Sequence, residues 1–441
     1  MQHSFEQLDR PGGFSRRHLF VPLKHRDFRV LWLGMAVSLV GDGMFLVAVA
    51  WESYSLWNAP VALSLVGIAM TVPMVAFLLV GGVVSDRYNR RVVMLWSDAL
   101  RATAVAILAV LALAGAIRFW ELVLLVGVYG AGGAFFTPAF EAIVPELVPT
   151  ADLAAANSLD QFIRPIALRL AGPALGGALA AWGIGVAFAV DAASFAGSLV
   201  AVLLVQRSPP MSPAPEVSAV SALKEGLRFV RSRIWIWGTL VSAAVAYLVF
   251  LGPTEVLLPF VVKNDLHASA ETLGIVLAAG GLGAVAAAIF MGRHGHPRRD
   301  VTAMYVVWML ATLAVAGYGV ATAAWQLMIA CFVFNALEAA GTIVWATIKQ
   351  RNVPAAMLGR VSSLDWLVSI ALLPLSFALT APIAALIGAR VTLIGAALVG
   401  GAVTIGALFL PGMREIEGGF ERDRDAPALP GAPRPQRSAA Q

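Results

Sequence analysis

Three carboxylates lie within long apolar segments of the sequence, where a charged group is energetically costly. They are Asp42, Glu255 and Glu338, and none has a lysine or arginine neighbour at helical spacing. A charge at the centre of a bilayer costs about 2.5–3.5 kcal/mol on insertion scales, so such a group faces a partner or a water-filled cavity. Burial without a cation disfavours the charged form, so these side chains should bind protons. We predict that they are proton-coupling groups; the structural alternative is a protonated carboxyl bonded to a neighbouring helix.

Two short stripes of side chains accompany these carboxylates at spacings of three or four residues. Such spacing places the members of a stripe on one face of a helix. Methionine and aromatic side chains beside a few polar groups suit bulky amphipathic ligands, although residues of this kind more often serve helix packing. The predicted lining of a substrate cavity consists of Met35, Ser38 and Phe45 around Asp42, and of Asn335 and Thr342 around Glu338.

A second group of charged residues, near the cytoplasmic ends of the apolar segments, is predicted to form a structural ion-pair network. Asp160 and Arg164 are four residues apart and can pair within one helix. Arg169 lies deeper and needs a carboxylate from another helix, whereas Asp191 could cap or pair locally. The remaining members of this group are Asp98, Arg101, Glu141 and Asp365.

The amino-acid composition indicates the environment, water or lipid, of the segments that carry these groups. The chain of 441 residues is 59% hydrophobic and 13% charged, and its mean hydropathy is +0.81. A soluble domain cannot bury so much apolar surface, so the solvent must largely be lipid. The net charge of +5 is dispersed over short loops, which disfavours nucleic acid as a partner. The single cysteine, Cys331, excludes an intrachain disulfide.

Hydropathy along the chain predicts an all-α integral membrane protein with twelve transmembrane helices. Each segment approaches or exceeds the roughly 20 mainly apolar residues that span a bilayer. Most of the 31 lysines and arginines fall on one side of the alternating loops, so the positive-inside rule places both termini in the cytoplasm. Gly252-Pro253 predicts a break in the seventh span. The predicted spans are 28–51, 61–84, 92–117, 120–144, 157–181, 184–206, 235–262, 271–292, 301–321, 324–348, 361–387 and 390–411.

The spans divide into two halves of six helices each. A proline-rich stretch followed by a basic amphipathic segment separates the halves and suits a connection on the inner leaflet. The stretch 148–160 recurs at 353–365, as expected for equivalent loops of a parallel duplication. The predicted parts are a cytoplasmic segment 1–27, a bundle 28–206, a linker 207–234, a bundle 235–411 and a disordered cytoplasmic tail 412–441.

A densely charged turn follows the second span and carries the pattern G-x-x-x-D-R-x-x-R-R. This pattern resembles the signature loop between helices 2 and 3 of the major facilitator superfamily, with Asn89 where that signature has glycine. Asparagine is tolerable there because it also reaches left-handed backbone conformations. The resemblance implies a cytoplasmic gate in which glycine lets helices approach closely and Asp86 contacts the start of span 11. The implied gate residues are Gly82, Asp86, Arg87, Arg90, Arg91, Glu141 and Asp365.

Further stretches resemble the bacterial enterobactin-exporter and macrolide-efflux branch of that superfamily. The similarity runs from about Phe28 to Pro411 and is carried by stretches such as 28–34, 38–42 and 223–230. The chain departs from many exporters of the superfamily because its fourth span lacks an arginine. A stretch in span 5 matches the core of the motif that is associated with antiporters, in which a bent, glycine-rich helix packs closely and seals one gate. The motif residues are Gly172, Pro173, Gly176 and Gly177.

These observations favour a secondary active transporter of the major facilitator fold over an enzyme. The sequence has no Walker-type phosphate loop, no paired histidines at metal-binding spacing on a helix and no nucleophile with a neighbouring base. No metal or cofactor is predicted. The resemblance implies proton-coupled efflux of amphipathic small molecules, such as macrolides or siderophores, by alternating access from a monomer in the bacterial inner membrane. The alternatives are an importer or lipid flippase of the same fold, and a receptor or scaffold without flux.

Overall fold

The computed structural model describes residues 20–206, 219–294, 297 and 299–417. Residues 1–19 of the predicted N-terminal segment, the proline-rich part of the linker and residues 418–441 of the predicted tail lie outside the described residues. The side chain of Asp86 also lies outside them, although its backbone belongs to a helix.

Long helices form almost all of the described chain, and no strand occurs within the described ranges. A shorter linker helix, Ala219–Arg231, separates two sets of membrane helices. These helices are α1 Arg26–Leu56, α2 Pro60–Arg87, α3 Arg90–Leu113, α4 Phe119–Leu147, α5 in three segments (Leu153–Arg164, Pro165–Ala171 and Gly172–Ala180), α6 Ile184–Leu204, α7 Ile234–Phe260, α8 Ala270–His294, α9 in two segments (Asp300–Ala314 and Ala316–Val320), α10 Ala324–Asn352, α11 in two segments (Ala355–Ala371 and Leu373–Ile387), and α12 Ala389–Ala407.

Eleven of these helices, counted over the described ranges, are long and apolar enough to cross a membrane. The remaining helix, α5, follows one path through its three segments, and its middle segment is a π-helix. Pro165 begins this middle segment and Pro173 follows it. Proline lacks the N–H that regular α-helix bonding requires, so it favours such an interruption. The predicted all-α membrane fold with twelve helices in two halves is therefore confirmed.

The packing of the first six helices is repeated in the second six. In the first half α1 packs against α5 and α6, α3 against α4 and α6, and α2 against α4. The corresponding pairs six helices later make the same contacts. The two halves meet mainly where α5 packs against α8 and where α2 packs against the second segment of α11. This arrangement is the one expected of two parallel repeats around a shared axis.

The predicted break at Gly252-Pro253 is wrong, because α7 remains helical through this pair. The backbone N–H of Gly252 donates to the hydroxyl oxygen of Ser376 in α11 at 2.8 Å. Neighbouring helices commonly satisfy backbone groups near a proline in this way, so the helix need not end. The irregular part of α7 comes later, as the π-helical extension Val261–Asp265.

Candidate functional site

A cavity of about 780 Å³ lies between the two halves. α1, α2 and α5 line one side of it, and helices of the second half line the other. Its walls are mainly apolar and aromatic, with a few polar groups, as is typical of a small-molecule site. The charged residues among its described lining are Arg169, Glu255, Glu338, Lys349 and Asp365.

The cavity is closed at one end of the bundle and reaches toward the other. We call the end with the α2–α3 turn the basic end and the end with the α1–α2 turn the opposite end. Hydrogen bonds join the halves at the opposite end, from Tyr54 to the carbonyl of Val256 and from Asn58 to Asn264, both at 2.6 Å. α2 packs far less against the first segment of α11 than against the second, so the halves diverge toward the basic end. The cavity therefore opens toward the basic end.

Arg169 joins charged and polar groups of both halves in the middle of the cavity. It lies in the π-helical segment of α5, and its side chain is 50% exposed. Its Nη1 atom donates to Oδ1 of Asn335 at 3.1 Å and lies 3.7 Å from Oε2 of Glu338. The hydroxyl of Thr342 donates to the other oxygen of Glu338 at 3.1 Å. The expectation that Glu338 lacks a cation is therefore wrong, because α5 supplies one from the other half.

Glu255 lies deeper in the cavity, toward the closed opposite end. It interacts electrostatically with Tyr318 and Cys331, and Cys331 lies one turn before Asn335 on α10. Its side chain is exposed to the cavity. Among the described residues no side chain donates a hydrogen bond to it or forms an ion pair with it, although the charge of Arg169 acts on it from a longer distance.

Lys349 and Asp365 form an ion pair in the cavity wall nearer the basic end. Nε1 of Trp345 donates to the same carboxylate at 2.9 Å. Asp365, which was predicted to take part in a gate between the halves, thus has its described partners within its own half. Sequence reasoning missed Lys349 because it lies just beyond the predicted end of span 10, where a lysine resembles an ordinary loop cation.

A second concentration of charge is buried inside the first half, away from the cavity. Arg101 of α3 donates to Oδ1 of Asp42 at 2.7 Å and to the hydroxyl of Tyr129 at 2.8 Å, and this hydroxyl donates to the same carboxylate oxygen at 2.6 Å. The guanidinium lies 4.5 Å from the ring centroids of both Tyr129 and Phe195, which adds cation–π attraction. Asp42 thus has a cation, contrary to expectation. α3 supplies this arginine, while α4, which lacks one, supplies Tyr129.

Two more carboxylates complete this buried cluster. Asp98 lies 3.9 Å from Arg101 and accepts a hydrogen bond from Ser198 at 2.6 Å. Asp191 accepts one from Ser194 at 3.2 Å and interacts with Asp42 and Arg101. Both Asp98 and Asp191 are fully buried, and each has one oxygen without a hydrogen-bond partner among the described residues. Asp98 and Arg101 thus belong to an ion-pair network, and four helices bring Asp42 and Asp191 into the same cluster.

The predicted stripe around Asp42 does not line the cavity. Met35 and Ser38 are 3% and 4% exposed, and the ring of Phe45 stacks on that of Tyr129 with centroids 4.1 Å apart. The prediction that these residues contact substrate is wrong, because α1 turns this face toward the interior of its own half. Asn335 and Thr342, by contrast, do lie in the cavity wall. The residues of α1 that line the cavity are Leu46, Val49 and Ala50.

The arginines of the α2–α3 turn bind helices of their own half. Arg90 donates to the carbonyl of Ala142 at 3.0 Å and pairs with Glu146 in α4. Glu141, which the resemblance placed with Arg90 in the gate network, is exposed and interacts with Arg164. Arg90 pairs with Glu146 because this carboxylate lies more than one helical turn nearer to the α2–α3 connection than Glu141 does. Arg164 forms the predicted pair with Asp160, at 2.7 Å.

The rest of this turn does not make the close helix contact that the family resemblance implies for its glycine. Arg91 donates to the carbonyl of Val202 in α6 at 2.9 Å, and Arg87 is exposed. A β-carbon at Gly82 would meet nothing within 4 Å, so this glycine makes no close helix contact in the present structure. Asn89 has a φ of −59°, not a left-handed conformation, and its side chain accepts from backbone N–H groups as the N-cap of α3.

The glycine-rich motif of α5 packs this helix on two sides. A β-carbon at Gly177 would lie 2.9 Å from the Cα atom of Gly274 in α8, so only glycine fits this crossing between the halves. Gly172 and Gly176 face α1 at similarly short distances. Pro173 lines the cavity beside them. The motif therefore lies where the halves meet toward the opposite end.

Comparisons with known proteins agree with this geometry. The family described as transmembrane secretion effector matches residues 18–419. The enterobactin exporter EntS of Citrobacter koseri is 29% identical over 423 residues, which cover 93% of this chain and 96% of the exporter. Macrolide efflux protein A of Streptococcus pyogenes is 21% identical over 366 residues, which cover 82% of this chain and 90% of that protein.

Solved transporter structures share the fold. A bacterial homologue of the iron transporter ferroportin in an inward-facing state has a TM-score of 0.63 at 18% identity, covering 87% of this chain and 98% of that one. A bacterial homologue of the human lysosomal transporter Spinster, inward-facing and unoccupied, has a TM-score of 0.64 at 15% identity, covering 89% and 97%. The chain belongs to the transmembrane secretion effector family of the major facilitator superfamily.

Proposed function

We propose that the protein is a proton-coupled exporter of amphipathic small molecules that works by alternating access. The observation that carries this proposal is the contact of Arg169 with Asn335 and Glu338, which joins the two halves inside a cavity open at one end. The printed names of the relatives, an enterobactin exporter and a macrolide efflux protein, suggest siderophores and drugs as substrate classes. The aromatic and apolar lining of the cavity suits such compounds.

Protonation of a cavity carboxylate would supply the coupling. When Glu338 is ionised, its attraction to Arg169 favours a state in which the two halves stay together around the middle of the cavity. A proton on Glu338 neutralises the carboxylate and removes that attraction. The relative populations of the conformations of the transport cycle then change. Glu255 is the second candidate, because it has no direct cationic partner among the described residues. A membrane potential of 100 mV contributes about 2.3 kcal/mol per charge moved, which is enough to drive accumulation.

The role that we propose for Asp42 differs from that of Glu338 and Glu255. It remains a proton-coupling candidate, but it would act within the first half rather than on the substrate. Its partner Arg101 touches Tyr129 of α4, so a change in protonation there would alter how α1, α3 and α4 pack. The cytoplasmic gate that the family resemblance implies, with Asp86 against the start of α11, would form when the basic end closes.

The basic end is proposed to face the cytoplasm of a bacterial cell. Arginines at the α2–α3 turn favour this orientation in the inner membrane through the positive-inside rule. Both chain ends would then be cytoplasmic, and the present structure would be open to the cytoplasm. We propose that the transporting unit is a monomer, because the cavity lies between the two halves of one chain.

Transport by reconstituted protein tests this proposal. Proteoliposomes with purified protein would be given a pH gradient and then a macrolide or a catecholate siderophore. We expect uphill accumulation on the acidic side and its loss when an uncoupler is added. Accumulation that persists with the uncoupler would exclude proton coupling. Movement only toward the cytoplasmic side would indicate an importer, redistribution of labelled lipid a flippase, and no flux of any probe a receptor or scaffold.

A further inference from the structure

The charges that line the cavity do not balance one another. Arg169 is bound by Asn335 and Glu338, and Lys349 is paired with Asp365. Each of these two cations, which are the cations among the described lining residues, therefore has an anionic neighbour. Glu255 is left as a carboxylate that faces the cavity without a hydrogen-bond donor or ion-pair partner among the described side chains.

The surroundings of Glu255 would suit the body of a large apolar ligand. The cavity wall around this part of α7 carries Phe250 and Leu258 on the same helix and Phe334 on α10. Phe250 and Phe334 form an edge-to-face pair with ring centroids 5.9 Å apart. These side chains give the cavity wall an apolar surface, which favours a lipophilic ligand.

We propose that Glu255 is the specificity-determining residue of the cavity and that the favoured substrates are lipophilic cations. This inference rests on the proposed function and narrows its substrate class, because a carboxylate without a described cation favours a bulky amine or phosphonium over a multiply charged anion. The carboxylate supplies the missing counter-charge at the closed end of the cavity. An anionic ligand must compete with Glu338 for Arg169 or with Asp365 for Lys349, whereas a cationic ligand meets in Glu255 a carboxylate without a described ion-pair partner.

Equilibrium binding of two ions of nearly the same shape and opposite charge tests the proposal. Tetraphenylphosphonium and tetraphenylborate would be titrated separately into detergent-purified protein by calorimetry, with protein-free micelles as the blank. We expect the wild-type protein to bind the phosphonium at least about tenfold more tightly than the borate. Glu255→Gln should weaken phosphonium binding by about tenfold and change borate binding by less than about twofold.

Two more variants keep the test decisive. Glu271→Gln removes an exposed carboxylate at the start of α8, outside the cavity lining, and should leave both affinities unchanged. Glu255→Asp retains the charge and should retain the preference for the phosphonium. This variant keeps the inference testable if Glu255→Gln fails to fold. Equal affinities of the wild-type protein for the two ions, or an unchanged phosphonium affinity in Glu255→Gln, would overturn the inference.

The measurement uses no gradient, so its outcome is independent of proton coupling. If the two ions bind equally while uphill efflux of other compounds persists, the substrate class is wrong and the proposed function stands. If the phosphonium preference depends on Glu255 but no compound is moved by a pH gradient, the proposed function is wrong and the inference stands.

Discussion

The Nη1 atom of Arg169 in α5 lies 3.7 Å from Oε2 of Glu338 in α10, so one ion pair connects the two halves inside the cavity. The pair is neither deeply buried nor fully solvated, since the side chains are 50% and 21% exposed. In such surroundings the attraction is modest and depends on the charge of the carboxylate. A contact of this strength can be made and broken during a transport cycle.

Neutralising Glu338 should uncouple transport from protons. We expect Glu338→Gln to lose uphill efflux but to retain downhill movement, because the cavity persists while its protonation-dependent charge is gone. At 100 mV the loss corresponds to roughly a fiftyfold accumulation ratio for one coupled charge. Uptake into proteoliposomes with a pH gradient measures uphill transport, and uptake without one measures downhill movement. Glu271→Gln is the control. Full uphill efflux with unchanged pH dependence would contradict this role.

Removing Arg101 should destabilise the first half. Arg101→Gln leaves the buried carboxylates of Asp42, Asp98 and Asp191 without their cation, and removal of one partner from a buried ion pair costs on the order of 3–5 kcal/mol. Thermal unfolding of the detergent-purified protein should show a clear fall in Tm. Arg293→Gln, at the exposed end of α8, is the matched control. Adding Asp42→Asn to Arg101→Gln should recover part of the loss; no recovery would argue against the pairing.

Neutralising Asp191 should have the opposite effect. Three carboxylates share one guanidinium in the buried cluster, so one of them is most easily kept as the protonated acid. Asp98 and Asp191 are both fully buried, but Asp98 lies 3.9 Å from Arg101, whereas Asp191 has, among the described residues, only a hydrogen bond of 3.2 Å from Ser194, which makes Asp191 the best candidate. Asparagine resembles a protonated aspartate in shape, so Asp191→Asn should leave Tm equal or higher. A fall as large as that of Arg101→Gln would show that an ionised Asp191 is required.

A side chain at Gly177 should open the closed end of the cavity. Gly177→Val cannot keep the crossing with Gly274, so α5 and α8 must separate. In a Cys331→Ala background, Leu258→Cys, at a position in the cavity wall that is 2% exposed, would be labelled with a membrane-impermeant maleimide added on the side of the opposite end. We expect faster labelling in Gly177→Val than in the parent. Gly197→Val, where a β-carbon meets nothing within 4 Å, is the control, and equal rates in all three proteins would contradict the expectation.

Hydropathy predicted the helices and their division because lipid imposes long apolar segments whatever their neighbours are. Helical spacing placed Asn335, Glu338 and Thr342 on one face of α10, and in the structure all three lie in the cavity wall. The stripe on α1 has the same spacing but faces the interior of its half. Periodicity identifies the residues that share a face, but only packing against other helices decides what that face contacts.

The partners of the charged residues could not be predicted from spacing. Arg101 lies far from Asp42 in sequence, and Arg169 lies still farther from Glu338, so no helical repeat relates the members of either pair. The fourth span lacks the arginine that many exporters of the superfamily carry, and the sequence did not indicate what would take its place. The structure shows that the neighbouring helix α3 supplies the arginine, because α3 and α4 pack side by side against the same face of the half.

The separation of the buried cluster of the first half from the cavity has a practical consequence for engineering. Arg101 and its carboxylates stabilise one half, whereas most charged residues of the cavity belong to the other. We therefore expect a library that varies Glu255, Phe250 and Phe334 to change ligand preference while leaving Arg101 and its carboxylates unchanged. Ligand selectivity and folding stability can thus be altered in different halves of the same chain.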